Sequence, residues 1–351
     1  MRLLIGGSSS FFFHLQEFSD ALNSLGVESK LVFDNDYADG FPSRKISNWF
    51  QTKKKFNKLI DEFKPDAIFV DRQRHFGINA LKANIPLFVL LRGHYWSEFL
   101  WNKRTMYKPF HKRIALLQWD KIGKEIFSNA TVILPICKYL EKITNKFVPG
   151  KSTEVFFEGV NASRWYHVKG MNLKHPCVGL LQRATWWGKT SEMLILKKVL
   201  EKMPDVNFYW AGDGPLRERI LSELGEYENF HWLGDLQYPD KVREYLSEID
   251  VYALITGMDL APLSLKEAQL MRKPVIATNV GGNSEMMVDG KTGFLVEKGN
   301  DEQLIEKLRL LFEDVDMAKK MGNKGRKFIE ETFNWEAVTK FFIKTLESYL
   351  K

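Results

Sequence analysis

A chain of 351 residues with 44% hydrophobic and 13% aromatic side chains has enough apolar material for two cored domains. No apolar run approaches the roughly 18 residues that a membrane-spanning helix needs, and Cys137 and Cys177 stand inside apolar runs, so they read as reduced, buried small side chains, not as a bridge or a metal pair. The net charge of +7 is uneven: residues 1–165 hold 25 Lys and Arg against 16 Asp and Glu (+9), leaving 26 against 28 (−2) for the remainder, and this basic half is compatible with nucleic acid, an anionic membrane surface or a phosphorylated substrate.

Residues 2–5 read as a buried first strand ending in Gly6-Gly7 and three serines. The glycines and serines interrupt any signal-peptide core, so the chain is expected to be cytoplasmic. A helix over 13–25, Gly26 and a strand over 29–33 complete the opening of a Rossmann-like half-fold. At its first turn, Gly6 and Gly7 either let backbone N–H groups approach a phosphate or simply make a tight turn. Asp34-Asn35-Asp36 mimics a two-carboxylate metal loop, but it opens a polar, turn-rich stretch running to Gly40 and Pro42, and the loop reading is preferred.

From Arg44 onward, basic residues interleave with apolar ones. Phe56, Leu59, Ile60 and Phe63 keep helical spacing and predict a core-facing stripe. Trp49-Phe50 with Lys53-Lys54-Lys55, and a second basic aromatic stretch over 102–127, suit either an anionic membrane surface or a solvated face. Strands are predicted over 67–70, 87–91 and 131–136, the last followed by a helix over 139–146. The strand over 87–91 runs into Arg92-Gly93-His94, which places a histidine where active sites of α/β sheets form.

The segment TEVFFEGVNASRW leads to polar, turn-rich residues 170–176, where a domain boundary is expected. Beyond it, strands over 177–181, 207–211, 230–233, 251–255 and 275–278 alternate with helices and predict a second doubly wound sheet. Arg183, and Lys189 just ahead of a helix over 191–203, would offer two cations beside a helix N-terminus, a site for a diphosphate. Trp210-Ala211-Gly212-Asp213-Gly214-Pro215 is a strand-to-helix turn, and Leu233-Gly234 closes the next strand. In the stretch 259–293, Asp259 stands on a loop, Pro262 and Ser264 offer a helix start, and Glu267 falls in the first helical turn. Both carboxylates would lie near carboxyl ends of parallel strands. Residues from 301 onward are predicted helical.

The stretch over 259–293 resembles the E-x7-E region of the retaining glycosyltransferases of family 4, the glycosyl transferases group 1. The G-D-G-P turn at 212–215, the Arg183 and Lys189 spacing, the double glycine at 281–282 with Glu285, and Phe333-Asn334-Trp335-Glu336 carry the resemblance along most of the chain. It implies a GT-B fold: two Rossmann-like, doubly wound α/β domains facing a cleft, with residues 1–170 binding the acceptor, 171–335 binding a nucleotide-sugar donor, and a helix over 336–351 returning to the first domain. It implies that a hexosyl group is moved to a hydroxyl of a glycan or lipid-linked acceptor with retention. His94, Arg183, Lys189 and Asp259 are the implied catalytic residues. Gly6, Gly7, Gly212, Gly214, Leu233, Gly234, Leu260, Ala261, Pro262, Leu263 and Glu267 are the implied donor contacts. Glu267 would accept the ribose hydroxyls. His14 stands where the family has a histidine, and is either that residue or a helix-surface one.

Two departures from the family pattern are Asp259, where Glu is usual, and Glu158, where Asn is usual. No metal or other cofactor is expected, because cations and helix N-termini can offset the diphosphate charge. An anionic membrane surface is a possible partner of the basic first domain, and nucleic acid is not expected. A catalytically silent nucleotide-sugar-binding protein and a GT-B nucleotide-sugar epimerase stay open as alternatives.

Overall fold

The computed structural model describes residues 1–43 and 45–350, so Arg44, the first residue of the basic aromatic stretch, lies outside the described residues. The chain divides into two compact units, Met1–Gly159 with Trp335–Lys351, and Val160–Asn334.

The first unit holds β1 (Arg2–Gly7), β2 (Glu28–Phe33), β3 (Ala67–Asp71), β4 (Leu87–Leu91) and β5 (Val132–Pro135), all parallel, in the order β2-β1-β3-β4-β5. Both faces are covered by helices, so β3, β4 and β5 are buried throughout and read in the sequence as unbroken apolar runs; the edge strand β2 alternates. Five of its rings meet in one cluster. Phe18 from the helix Phe12–Ser24 packs 5.3 Å from Phe69 of β3, 5.1 Å from Phe156, 5.6 Å from Trp335 and 5.2 Å from Phe342. Trp335 and Phe342 belong to the last helix, Trp335–Tyr349, which is therefore part of this unit, and Trp335 Nε1 donates to Glu17 Oε2 at 2.9 Å.

The second unit holds β6 (Cys177–Leu181), β7 (Asn207–Ala211), β8 (Phe230–Gly234), β9 (Val251–Leu254), β10 (Val275–Thr278) and β11 (Gly293–Val296), again all parallel, in the order β11-β10-β9-β6-β7-β8. The chain winds outward from β6 to β8, then returns to the other side of β6 and winds outward again, which is the doubly wound order of a dinucleotide-binding fold. Strand β11 is an addition to the sequence reading; its four residues follow directly on a turn over 290–292 and are too few to show a period of their own.

The first boundary falls at Gly159/Val160 and not after Gly170. The intervening residues pack on the second unit: Val160 pairs with Asn334, Arg326 Nη1 donates to the Trp165 carbonyl at 2.8 Å, and the ring of Tyr166 lies under Arg243.

Replacing Phe342 by Ala removes one wall of the five-ring cluster. The expected cost is about 3–5 kcal/mol of first-unit stability, as for other buried Phe-to-Ala changes, to be read as a lower urea midpoint of the unfolding transition.

Candidate functional site at the carboxyl edge of the second sheet

The switch point of the second sheet lies between β6 and β9, neighbours whose connections run in opposite directions, and ligands of such sheets bind outside the strand ends there. Gln182, just past β6, ties the two strand exits by donating from Nε2 to the Ile255 carbonyl at 2.9 Å. The turn after β7 lies directly against the β6 exit. Gly212 and Gly214 have φ of +150° and +151°, and a Cβ on them would stand 2.0 Å from the Gln182 carbonyl oxygen and 2.4 Å from that of Ala184. No side chain fits either position, which is the physical content of the G-D-G spacing. Leu233 and Gly234 close β8 beside this turn: Gly212 N–H donates to the Gly234 carbonyl at 2.8 Å, and Trp232 Nε1 donates to the Gly212 carbonyl at 2.8 Å.

Lys189 and Asp259 meet across the switch point. Lys189 Nζ lies 2.5 Å from Asp259 Oδ2, with both side chains largely buried, and the Lys189 carbonyl accepts the Gly257 N–H at 2.8 Å. Lys189 is not ahead of one long helix. It sits inside a four-residue helix, Trp187–Thr190, followed by a 3-10 turn, Ser191–Ile195, and the helix Leu196–Lys202, because the N–H groups of Lys189 and Thr190 already close on the Trp186 carbonyl. Arg183 is engaged elsewhere: it is exposed and pairs with the equally exposed Asp235 at 3.3 Å.

Asp259 is held at two further points. Its Oδ1 accepts the Leu260 N–H at 3.0 Å, and its carbonyl accepts the Gly282 N–H at 3.0 Å. Gly281 has φ of +57°, and a Cβ there would stand 1.8 Å from the Asp259 carbonyl. Leu260, Ala261 and Pro262 are buried, and Pro262 precedes the helix Leu263–Leu270, whose first N–H groups have no intrahelical acceptor. Glu267, the fifth residue of this helix and so past the first turn where it was expected, is buried at 4% exposure and accepts from Tyr238 Oη at 3.1 Å. Burial pushes its carboxyl up to about 7, against the lowering effects of the Tyr238 hydrogen bond and of Lys266. Tyr238 had no sequence signal, since its contact spans 29 positions.

The carboxyl edge of the first sheet is equally polar, and most of it escaped the sequence reading. Arg92, past β4, is buried and bonds Asp71 Oδ1 at 2.5 Å and also Glu158; its guanidinium lies 4.3 Å from the Phe11 ring centroid. Ser8 Oγ donates to the other Asp71 oxygen at 3.0 Å. Glu158, noted only as a departure from a family pattern, is thus half of a buried carboxylate pair around one arginine. His94 caps the helix Tyr95–Arg104, its Nδ1 accepting the Ser97 N–H at 3.3 Å, and burial lowers its pKa, so that the neutral imidazole is favoured.

Gly6 and Gly7 lie at the tight end of the first strand, where a side chain would have no room. They end β1, and a Cβ on them would meet the Phe76 ring at 2.8 Å and Leu15 at 2.5 Å, so they make room for helix packing. His14 is partly buried, 4.0 Å from Glu17, and is not a helix-surface side chain. Asp34-Asn35-Asp36 opens a short helix, Asp34–Tyr37, and not the expected loop; Asp34 is buried against Arg74 at 3.4 Å, and burial raises its carboxyl to about 6, while Asp36 is exposed.

In the two basic aromatic stretches, Phe56 and Leu59 are buried as expected, whereas Ile46, Trp49, Phe50, Met106, Phe110, Ile114 and Leu117 are exposed, Phe50 and Phe110 each at 79%. Among the described residues no helix is long and apolar enough to cross a membrane.

The glycosyl transferases group 1 model matches residues 180–328, the second unit almost from its first strand. An uncharacterised glycosyltransferase of Methanocaldococcus jannaschii is 27% identical over 241 residues, covering 64% of this chain and 63% of that protein. A trehalose synthase of Thermococcus litoralis is 33% identical over 175 residues, 47% of this chain and 40% of its own length. The chain thus spans less than two thirds of these curated relatives. The structure of HepE from Anabaena in complex with UDP-glucose superposes with a TM-score of 0.67 at 15% identity, covering 99% of this chain and 100% of that one. That likeness carries the fold alone, GT-B, and the group 1 glycosyl transferase match is confined to residues 180–328 of the second unit.

Proposed function

We propose that this chain is a retaining hexosyltransferase that takes a nucleotide-sugar donor on its second domain and a hydroxyl of a glycan or lipid-linked acceptor on its first. The observation that carries the reading is the Lys189–Asp259 pair at the switch point, backed by a buried carboxylate, Glu267, on the next helix. Glu267 offers two oxygens to the ribose hydroxyls. Lys189, Arg183 and the N–H groups over 260–263 offset the charge that develops on the departing diphosphate, which leaves no charge for a metal to neutralise. Asp259 orients the donor sugar and holds Lys189 until the diphosphate replaces it. In the transfer, the bond from the sugar's anomeric carbon to the phosphate oxygen breaks as the acceptor oxygen bonds the same carbon on the same face, and the acceptor proton passes to the leaving phosphate. His94, neutral and fixed by its cap, positions the acceptor and sugar.

The acceptor side is supported by the exposed Phe50 and Phe110 among lysines, a composition that suits the headgroup region of an anionic bilayer. On this reading the acceptor is presented at a membrane surface.

Release of nucleoside diphosphate from a panel of UDP-, GDP- and ADP-sugars, with and without lipid extract, tests the function. One donor should turn over, and Lys189→Ala should cut kcat by roughly 100-fold or more; donor binding without turnover would favour a silent binding protein.

The Glu267 carboxyl gives a pH signature. Donor affinity should rise as pH increases from 6 to 8, as the ionised form able to accept two hydroxyls becomes populated, and Glu267→Gln should flatten that dependence in calorimetric titrations. The sign for stability is opposite. A carboxyl raised from 4.5 to about 7 in the fold favours the folded state fully below 4.5 and loses that advantage as pH rises through 7, so the ligand-free Glu267→Gln protein should melt higher than wild type at pH 8.

Gly281→Ala would drive a methyl into the Asp259 carbonyl; a loss of donor affinity with the first unit's unfolding unchanged is the expected result.

A further inference from the structure

At the amino edge of the second sheet, the end of β6 away from the proposed donor site, stands a cluster that the transfer reaction does not use. Cys177 opens β6, His175 precedes it by two residues, and Asp250 closes the turn into β9. Cys177 is buried like a core residue, yet its Sγ lies 3.7 Å from His175 Nδ1, which lies 2.8 Å from Asp250 Oδ2. All three atoms fall within 4.8 Å of one another. A single ion placed about 2.0–2.3 Å from each spans such separations.

We propose that His175 Nδ1, Cys177 Sγ and Asp250 Oδ2 form a structural zinc site, with water as the fourth ligand.

Four features of the surroundings support it. First, the far nitrogen of the ring is already oriented: His175 Nε2 lies 3.0 Å from Glu248 Oε1, the carboxylate–histidine arrangement that turns the other ring nitrogen toward a metal. Second, the ligand carboxylate is fixed as well, because Asp250 Oδ2 accepts the Cys177 N–H at 2.8 Å. Third, a mixed imidazole, thiolate and carboxylate set suits zinc better than magnesium or calcium, which favour oxygen alone. Fourth, the ligand set itself carries two negative charges, a Cys177 thiolate and the Asp250 carboxylate, which one divalent ion neutralises. The site also has an entrance, since the side chains of His175 and Asp250 are 43% and 38% exposed. Coordination displaces one proton from the thiol and one from the imidazole.

The bound ion would tie the loop ahead of β6 to the turn between the helix Asp240–Glu248 and β9, and so brace the second unit from the edge opposite the donor. Cys177 would then be a ligand and not the inert small hydrophobe suggested by its apolar neighbours.

The test uses the full chain, stripped with a chelator and titrated with zinc chloride by calorimetry, then with cobalt chloride by absorption. One zinc per chain is expected, with a raised melting temperature. The cobalt form should show a thiolate-to-metal charge-transfer band in the near ultraviolet. Cys177→Ser should abolish that band, Cys177→Ser and His175→Gln should each weaken zinc binding by roughly 100-fold or more, and Glu248→Gln by about 10-fold. Failure to bind one equivalent of zinc, or binding unchanged in His175→Gln and Cys177→Ser, overturns the site. If Cys177→Ser does not fold, the half-exposed His175→Gln decides alone. None of these readouts depends on donor turnover, so the proposal stands or falls apart from the transferase reading.

Discussion

The ion pair between Lys189 and Asp259 is the interaction on which the second domain's edge depends. It spans the switch point and joins the segment that leaves β6 to the loop that leaves β9, and the same two segments are tied again through the backbone where Gly257 donates to the Lys189 carbonyl. Asp259 then sets the position of Leu260 through its side chain and of Gly282 through its carbonyl. One residue therefore fixes, through its carboxylate, the segment leading to the helix that carries Glu267 and, through its carbonyl, the approach of the glycine turn behind it. The pair keeps some contact with solvent, so it parts at a lower cost than a fully desolvated pair would.

The first domain solves the matching problem with the opposite charge balance. There one buried arginine is shared by two carboxylates, Asp71 from β3 and Glu158 from the segment before the domain boundary, with Phe11 over its face. Removing either carboxylate would leave part of a buried guanidinium without its hydrogen-bond acceptor, which costs more than deleting an exposed pair. The strand order explains why these groups meet: in a parallel sheet every strand delivers its last residue to the same edge, so Ser8, Asp71, Arg92 and the His94 cap arrive together although they are far apart in the chain.

The two domains also divide their surfaces. The basic first domain keeps large apolar side chains such as Phe50 and Phe110 in solvent, whereas the second commits its glycines and carboxylates to holding loops in place around the strand ends. This is the pattern to expect when one half meets a variable partner and the other a constant one.

The sequence by itself determined the alternation of strands and helices, ten of the eleven strands, and the positions of Asp259, Glu267 and the G-D-G turn, because these are local: parallel strands buried on both faces read as apolar runs, and a turn that admits no Cβ demands glycine at fixed positions. What only the tertiary structure decided is which of these residues meet. Lys189 and Asp259 are 70 positions apart, Arg92 and Glu158 are 66, and His175 and Asp250 are 75, and no periodicity reaches across such distances. It also decided the uses of groups whose local sequence was ambiguous: Gly6 and Gly7 serve packing against Phe76 and Leu15, and residues 160–170 join the second unit through Trp165 and Tyr166. A side chain's type is written in the sequence, but its partner is chosen by strand order, which alone sets whose carboxyl end lies beside whose.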